Sequence, residues 1–142
     1  MSEIYLPGLP LPAPQAAGLD APFWEGTVAH ELRVQRCNRC GTYQTPAEWV
    51  CHRCHATDLS WPAVEPVGVI YSWMRVHHPV LPALAERGPY RVVVVELPHA
   101  GGVKVVGNLL GDAARDAEIG SPVVAVFEDH DGATLVQWRV AA

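Results

Sequence analysis

Charged residues are scarce in this 142-residue chain, at 18% of the total, and lysine is almost absent. The one lysine is Lys104, and the other nine basic residues are arginines. Against these stand 15 acidic residues, so the formal net charge is −5. General binders of nucleic acid or anionic membranes depend on a cationic surface, and this composition argues against both classes. Hydrophobic residues make up 49% of the chain, which excludes an intrinsically disordered protein.

Long apolar runs are also missing. The longest aliphatic runs, such as the valines at 92–95, fall far below the roughly 18 residues that indicate a membrane-spanning helix. A secretory signal needs a cationic start before its apolar stretch, and no lysine or arginine precedes Arg33. We therefore expect a cytoplasmic protein with no export signal, in a compartment where thiols stay reduced.

The four cysteines carry the strongest signal in the sequence. They form two C-x2-C pairs, Cys37 with Cys40 and Cys51 with Cys54, within a window of 18 residues. Zinc takes four thiolates in a tetrahedron, and two such turns joined by a short hairpin provide them. Because four cysteines close the coordination shell, the pattern predicts one structural zinc ion per chain, held in a rubredoxin-like ribbon.

Alternatives to this interpretation remain open at this point. The thiols would form two disulfides, or stay loose, if no metal bound. His52 or His55, which flank the second pair, would replace a cysteine in a mixed ligand shell. The arginines of this segment are either solvated around an anionic centre or form a docking face for an acidic partner or a phosphate. They are Arg33, Arg36, Arg39 and Arg53.

The chain before the cysteines divides into an arm and a helix. Residues 1–22 contain five prolines and predict an extended arm, either mobile or laid across a partner. Residues 23–34 follow a helical period, and the apolar stripe of this helix is predicted to pack on the protein's own core or on a partner. The stripe residues assigned to partner binding are Phe23, Trp24, Val28 and Leu32.

The ribbon completes the second region, residues 23–62, and Trp49 and Trp61 are predicted to shield its hairpin. From residue 63 to 142 the pattern changes to strands rich in β-branched and aromatic residues. The predicted strands are 67–76, 90–97, 103–110, 123–128 and 134–140. Residues 112–119 predict one short helix between the third and fourth strands. The fold class is therefore mainly β, a helix and zinc ribbon followed by a five-stranded OB-fold barrel.

The order of these motifs resembles a known family. Phe23-Trp24 and the two cysteine pairs are followed by Gly68-Val69-Ile70-Tyr71-Ser72, and then by Pro89-Tyr90 running into Val95-Glu96-Leu97. This combination resembles the zinc-ribbon/OB-fold proteins associated with acyl-CoA enzymes, over residues 20–140. The Pro-rich start departs from the family pattern, as does the small-residue turn at 102–104.

The resemblance implies an accessory subunit rather than a free-standing enzyme. Its partner would be a thiolase-like or aldolase subunit in a hetero-oligomer. Such partners include thiolases, acyltransferases and the retro-aldolases that shorten CoA-linked steroid side chains. The resemblance also implies that the ribbon and the N-terminal helix contact this partner, and that acyl-CoA lies near the OB barrel. The family offers no agreed catalytic residue, so none is assigned here.

Several titratable residues at the ends of the predicted strands are candidates for contact with CoA or its acyl group. They are Arg75, His77, His78, Arg87 and Arg91. Plain solvent exposure is the alternative for each of them. Adjacent histidines point to opposite faces of a strand, so His77 and His78 cannot both line one site there. Glu96 lies in a run of valines and is predicted to point outward or to meet an arginine.

The leading prediction is a non-catalytic but required subunit of a thiolase-fold enzyme. That enzyme would make or break carbon–carbon bonds in CoA thioesters such as steroid side chains. One alternative is a module that binds single-stranded nucleic acid, which needs a cationic groove with stacking aromatics. Residues 61–142 carry six basic and nine acidic residues, and this balance argues against it. The other alternative is an autonomous protein that binds or hydrolyses acyl-CoA.

Overall fold

The computed structural model describes residues 4–7 and 9–142. Its N-terminal half contains short elements: α1 (Ala21–Val28), β1 (Leu32–Arg33), β2 (Gln35–Cys37), β3 (Tyr43–Gln44), β4 (Leu59–Ser60) and β5 (Ala63–Val64). Longer strands follow: β6 (Val67–Val76), β7 (Tyr90–Leu97), β8 (Val103–Asn108), β9 (Pro122–His130) and β10 (Ala133–Val140). Two 3-10 turns, Pro82–Leu84 and Pro98–Ala100, lie before and after β7.

The five long strands form one antiparallel sheet in the order β10-β9-β6-β7-β8. The sheet curls so that β10 reaches the end of β8. There the Leu110 N–H donates to the Trp138 carbonyl at 2.8 Å, and Leu109 and Trp138 form a parallel bridge. This connectivity is that of a nearly closed OB barrel, and the predicted fold class is confirmed.

Strand β7 shows why this segment forms the centre of the barrel. Burial alternates along it, and every second residue from Arg91 to Leu97 is at most 5% exposed. The intervening valines are half-buried and face outward. Alternation with a period of two and a high valine content are what a strand covered on one face requires.

The ribbon and the barrel share a single core. Leu32 and Val34, which lie between α1 and the first cysteine, pack with the barrel residues Ile70, Val95 and Trp138. Trp138 is fully buried at the closure of the barrel. The smaller β1–β5 sheet pairs Leu32 with Val64, so it joins the segment before the ribbon to the segment that enters the barrel. The zinc-ribbon region is therefore held against the barrel by apolar packing as well as by the chain.

The helix is shorter than the predicted 23–34. It ends at Val28, and His30 adopts a left-handed backbone conformation with φ of 58°. The N–H of His30 donates to the Thr27 carbonyl at 2.9 Å, and the N–H of Glu31 donates to the Gly26 carbonyl at 2.8 Å. This pair of bonds is a Schellman motif, which ends the helix and turns the chain back toward the barrel.

The predicted helix at 112–119 is absent, and this segment forms turns within the described part of the chain. Its flanking glycines, Gly111 and Gly120, have φ of 100° and 90°. The carbonyls of Ala113 and Ala114 accept hydrogen bonds from a distant arginine side chain instead of from amides four residues on. An arginine thus satisfies the backbone acceptors that a helix would have satisfied.

The start of the N-terminal arm contacts the protein's own barrel. The Tyr5 N–H donates to the Glu128 carboxylate, and Leu6 is 8% exposed. The Arg87 guanidinium donates to the Tyr5 carbonyl at 2.7 Å and lies 4.8 Å from the centre of the Tyr5 ring. Residues 1–3 and 8 of the predicted arm lie outside the described residues.

Of the described residues, none belongs to a helix with the length and apolar character that a bilayer span requires. The α-helix itself has eight residues. A membrane-spanning helix needs about 20 residues.

Gly68 of the Gly-Val-Ile-Tyr-Ser motif is predicted to be intolerant of any side chain. A Cβ atom there would lie 2.4 Å from Val95 Cγ1 and 2.6 Å from the Glu96 carbonyl oxygen. Gly68→Ala should therefore lower the free energy of unfolding by about 1–3 kcal/mol, as expected for overpacking. Urea denaturation measures the change. Ser72→Ala, at an exposed position of the same strand, should change stability by no more than about 0.5 kcal/mol.

Candidate metal centre and neighbouring surfaces

The four cysteines converge at the tip of the ribbon. Their sulfur atoms all lie within 4.8 Å of one another. Cys37 Sγ is 3.6 Å from Cys54 Sγ, and Cys40 Sγ is 3.6 Å from Cys51 Sγ. A tetrahedral zinc ion with Zn–S bonds of about 2.3 Å separates its sulfurs by about 3.8 Å. A disulfide would need about 2.05 Å, so this geometry fits a metal site and excludes the disulfide alternative.

Both cysteine turns have the same backbone construction. In each, the residue after the second cysteine is left-handed, Gly41 with φ of 78° and His55 with φ of 62°. The Gly41 N–H donates to the Cys37 carbonyl and the His55 N–H to the Cys51 carbonyl, each at 2.9 Å. Backbone amides also lie 3.4–3.5 Å from the sulfurs of Cys37 and Cys51. Such amides stabilise a thiolate over a thiol.

The pKa values of three of the cysteine thiols are shifted by their surroundings. The Thr42 hydroxyl, 3.1 Å from Cys40 Sγ, lowers the pKa of Cys40 to about 6. The backbone N–H of Cys40 lowers the pKa of Cys37. The Ala56 N–H favours the Cys54 thiolate, but burial and the neighbouring thiols outweigh it and raise that pKa to about 11. Because the neighbouring thiols oppose ionisation of Cys54, a bound cation is what would allow all four sulfurs to be thiolates at once.

The two histidines beside the second cysteine pair take no part in this cluster. His52 and His55 are both exposed. In the described chain, the cluster of metal-ligating atoms consists of the four cysteine sulfurs. The donor set is therefore all-thiolate, which suits zinc and leaves no position open for water or substrate.

Two buried glutamines fasten the loop between the cysteine pairs. Gln35 is 2% and Gln44 is 4% exposed, and they are joined by a hydrogen bond of 2.7 Å from Gln44 Nε2 to Gln35 Oε1. Gln35 accepts from the Glu48 N–H at 3.0 Å and donates to the Glu48 carbonyl at 2.9 Å. Gln44 accepts from the His52 N–H at 2.9 Å and donates to the Val50 carbonyl at 3.2 Å. This pair was not predictable from the sequence, because polar residues in a short strand carry no periodic signal.

The predicted shielding role of Trp49 is wrong. Its side chain is 74% exposed, although both of its neighbours in the chain have hydrogen-bonded backbones. Trp61 is half-buried and lines a groove between α1, the ribbon and β8. The presence of two tryptophans in the sequence did not indicate that Trp61, and not Trp49, faces the interior.

The predicted partner-binding stripe is divided by the early end of the helix. Leu32 is 1% exposed and belongs to the core, so for this residue the protein's own core is the correct alternative. Val28 is 64% exposed. Phe23 and Trp24 are half-buried, pack edge to face with ring centres 5.2 Å apart, and line the same groove as Trp61. The groove has a volume of about 350 Å³.

The candidate CoA contacts do not converge on one site. Arg75 binds the carbonyls of Ala113 and Ala114 and forms an ion pair of 2.8 Å with Asp116. Arg91 is 5% exposed and donates to the carbonyls of Leu110 and Arg115. Two of the predicted phosphate contacts therefore brace the turns between β8 and β9.

The other three candidates lie elsewhere. Arg87 binds Tyr5 of the arm, and His77 and His78 are exposed in the bend after β6. Glu96 points outward, as one alternative predicted, and its carboxylate lies 3.5 Å from Lys104 Nζ rather than beside an arginine. None of these contacts identifies a substrate.

A buried polar cluster under the arm was missed by the sequence analysis. Glu128 is 2% exposed and lies 3.2 Å from His130 Nε2, and Gln137 Nε2 donates to the same Glu128 oxygen at 3.1 Å. Glu128 and His130 are two apart on β9, so they share one face of the strand. The spacing of two between Glu128 and His130 could have indicated a shared face of the strand. The contact of the N-terminal arm with this face was not predictable from the sequence.

Known protein families match both halves of the chain. The family model for the rubredoxin-like zinc ribbon domain of ChsH2 matches residues 24–60. The model for the C-terminal OB-fold domain of ChsH2 matches residues 61–128.

Two curated relatives are larger proteins. A probable enoyl-CoA hydratase alpha subunit from Thermomonospora curvata is 40% identical over 119 residues, which is 82% of this chain and 35% of that protein. The 3-oxo-4,17-pregnadiene-20-carboxyl-CoA hydratase alpha subunit from Mycobacterium tuberculosis is 32% identical over 118 residues, with 82% and 36% coverage. The chain thus spans about a third of the length of these curated relatives.

Solved structures match most of the chain. A chain of the Ltp2-ChsH2(DUF35) aldolase superposes with a TM-score of 0.79 at 33% identity, covering 93% of this chain and all of that one. A DUF35-family protein of unknown function from Sulfolobus solfataricus has a TM-score of 0.64 at 12% identity, covering 88% and 87% of the two chains. The second likeness shows the fold alone.

Arg91 is predicted to be a structural residue of the barrel. Arg91→Met would leave the carbonyls of Leu110 and Arg115 without their charged donor, and hydrogen bonds of this kind contribute about 1.5–3 kcal/mol. Urea denaturation should show a loss of that size. Arg139→Met, at an exposed position beside the same turns, should change stability by no more than about 0.5 kcal/mol. Equal effects of the two substitutions would contradict the assignment.

Proposed function

Because the chain belongs to the ChsH2 family of zinc-ribbon and OB-fold proteins, we propose that it is a non-catalytic accessory subunit of an aldolase complex. The observation that carries this proposal is the match of 93% of the chain to the whole of a chain of the Ltp2-ChsH2(DUF35) aldolase. The proposed reaction is retro-aldol cleavage or condensation at a carbon–carbon bond of a CoA thioester. The name of one curated relative supports a steroid-type side chain as the acyl group.

The catalytic residues would come from a thiolase-fold partner in a hetero-oligomer. In this chain, three of the five candidate substrate contacts have side chains bonded to the chain itself, namely Arg75, Arg87 and Arg91. The remaining two, His77 and His78, are exposed in the bend after β6. A subunit that shapes and stabilises the partner's active site is the function that these contacts support.

A structural zinc ion, one per chain, is part of the proposal. The strands around the cysteines have two or three residues each, and the loop at 45–50 is largely exposed, so this region buries little apolar surface of its own. Zinc bound by four thiolates contributes about 10–16 kcal/mol of apparent binding free energy, which then stabilises the folded ribbon. The ion would have no catalytic role, because its coordination shell is complete.

Acyl-CoA is proposed to lie near the barrel, at the junction with the partner. The groove lined by Phe23, Trp24 and Trp61 is mainly apolar, and Arg33 and Lys104 lie on its walls. Apolar walls with a few polar groups suit a ligand that carries both an acyl chain and phosphates. The partner subunit would cover the open side of this groove.

A hydratase complex is the second candidate. Both curated relatives are named as alpha subunits of CoA-thioester hydratases, which favours it. The match covers only about a third of those proteins, so their activity does not transfer to this chain by itself. The two candidates share a CoA-thioester substrate and differ in the partner subunit and in the bond that reacts.

Zinc retention should depend on the cysteines and not on the flanking histidines. Cys37→Ser is expected to lose stoichiometric zinc and the cooperative unfolding of the ribbon, because a hydroxyl replaces a buried thiolate ligand. His52→Ala and His55→Ala should each keep one zinc per chain. Elemental analysis of the purified proteins gives the metal content. Zinc loss in either histidine variant, with retention in Cys37→Ser, would refute the all-cysteine site.

The aldolase function is tested by reconstitution with a thiolase-fold aldolase subunit. We expect the two chains to co-purify, and cleavage of a β-hydroxyacyl-CoA with a steroid-type side chain to require both. Mass spectrometry of the products identifies the broken bond, and addition of water across an enoyl-CoA by a reconstituted hydratase would favour the second candidate. Unchanged cleavage by the partner alone would rule out the accessory role.

A further inference from the structure

Trp49 stands out among the five tryptophans of the chain. It is 74% exposed, whereas Trp24, Trp61 and Trp73 are half-buried and Trp138 is fully buried. Val50 beside it is 39% exposed. An indole ring exposes a large apolar surface to water, so a position that keeps it exposed calls for a physical reason.

The backbone that carries Trp49 is fixed from within. The two-glutamine clamp, Gln35 with Gln44, bonds the backbone of Glu48 on one side and of Val50 on the other. One residue further on, Cys51 is fully buried in the sulfur cluster. The indole is therefore presented from a loop that is rigid before any partner binds.

This arrangement is costly if it only serves the fold. Buried amide groups must all find partners, and here four of their hydrogen bonds go to the backbone of residues 48–52. Trp49, in the segment 48–52 that these bonds hold in place, contributes little to the core. A rigid, exposed aromatic side chain loses little entropy on binding, and for this reason tryptophan is enriched at binding hot spots.

The charges of the ribbon indicate what kind of surface would accept it. Arg39 and Arg53, on the two cysteine turns, are exposed, and neither forms an ion pair with a carboxylate of the described residues. The Arg36 guanidinium lies 5.7 Å from the Tyr43 ring centre and likewise has no carboxylate partner there. The complementary surface is an apolar pocket with an acidic rim.

We propose that Trp49 is the anchor by which the ribbon binds the aldolase subunit. Its indole inserts into an apolar pocket of that subunit, and carboxylates at the rim of the pocket pair with Arg39 and Arg53. The two-glutamine clamp holds the indole in its binding position. This inference rests on the proposed function, since the aldolase subunit is the partner.

The experiment measures affinity between this chain, loaded with zinc, and the purified aldolase subunit by isothermal titration calorimetry. Trp49→Ala should weaken binding at least about 30-fold, the loss typical of a hot-spot residue. Val80→Ala is the matched control, because Val80 is 94% exposed in the connection between β6 and β7, and its substitution should leave the affinity unchanged. Zinc content and urea unfolding of each variant are measured in parallel.

Two further variants test the rim and the clamp. Arg39→Glu combined with Arg53→Glu should weaken binding at low salt about 10-fold and reduce the dependence of the affinity on salt concentration. Gln35→Met keeps Trp49 but removes its support, and it should weaken binding while zinc is retained. These readouts separate an anchor from a residue that only stabilises the ribbon.

The outcomes distinguish this inference from the proposed function. No binding by the wild-type chain would overturn the proposed function itself. Wild-type binding with equal affinity for Trp49→Ala would overturn the anchor and leave the accessory role standing. If Trp49→Ala loses zinc, the affinity of Trp49→Arg for the aldolase subunit is measured instead and judged by the same 30-fold threshold. If both variants lose zinc, Trp49 serves folding and the proposal is overturned.

Discussion

The convergence of four sulfur atoms at the tip of the ribbon is the constraint on which the N-terminal half depends. Cys37 and Cys51 are fully buried, yet the strands beside them have two or three residues and cannot form a core alone. Deprotonated thiols at this separation repel one another unless a cation lies between them. The proposed zinc ion would therefore do for the ribbon what apolar burial does for the barrel. The hydrogen bonds of Gln35 and Gln44 extend this order to the loop between the turns.

The barrel depends on the ribbon in return. Leu32 and Val34 leave the N-terminal region and enter the barrel core, next to Ile70 and Trp138. Because β1 pairs with β5 across the ribbon, both ends of the ribbon are fastened to the barrel. The position of the metal centre relative to the barrel is thus set by packing and not by a linker. A partner that contacts both parts meets one surface of fixed shape.

The strand segments of the barrel and the clustering of the four cysteines were predictable from the sequence because each depends on a local pattern. The run of consecutive valines in β7 and the two C-x2-C pairs each indicate a structural role within a few residues. The helix end was not predictable, since His30 adopts a left-handed conformation that sequence rules reserve mainly for glycine and asparagine. The exposure of Trp49 was also not predictable, because it follows from hydrogen bonds made by Gln44 and Gln35, five and fourteen positions earlier in the chain.

The arginines show why charge alone misled the search for a substrate site. Arg75 and Arg91 lie where phosphate contacts were expected, but their guanidinium groups meet backbone carbonyls of the turns between β8 and β9. A guanidinium has five donors and no acceptor, so it suits a cluster of carbonyls as well as it suits a phosphate. The chain lacks a helix at 112–119, and these two side chains supply the donors that the missing helix would have provided. The cations left for intermolecular contacts include those of the ribbon, on the same element as the exposed indole. On the proposed anchor, recognition would depend on the ribbon, the part of the chain that contains the four converging cysteines.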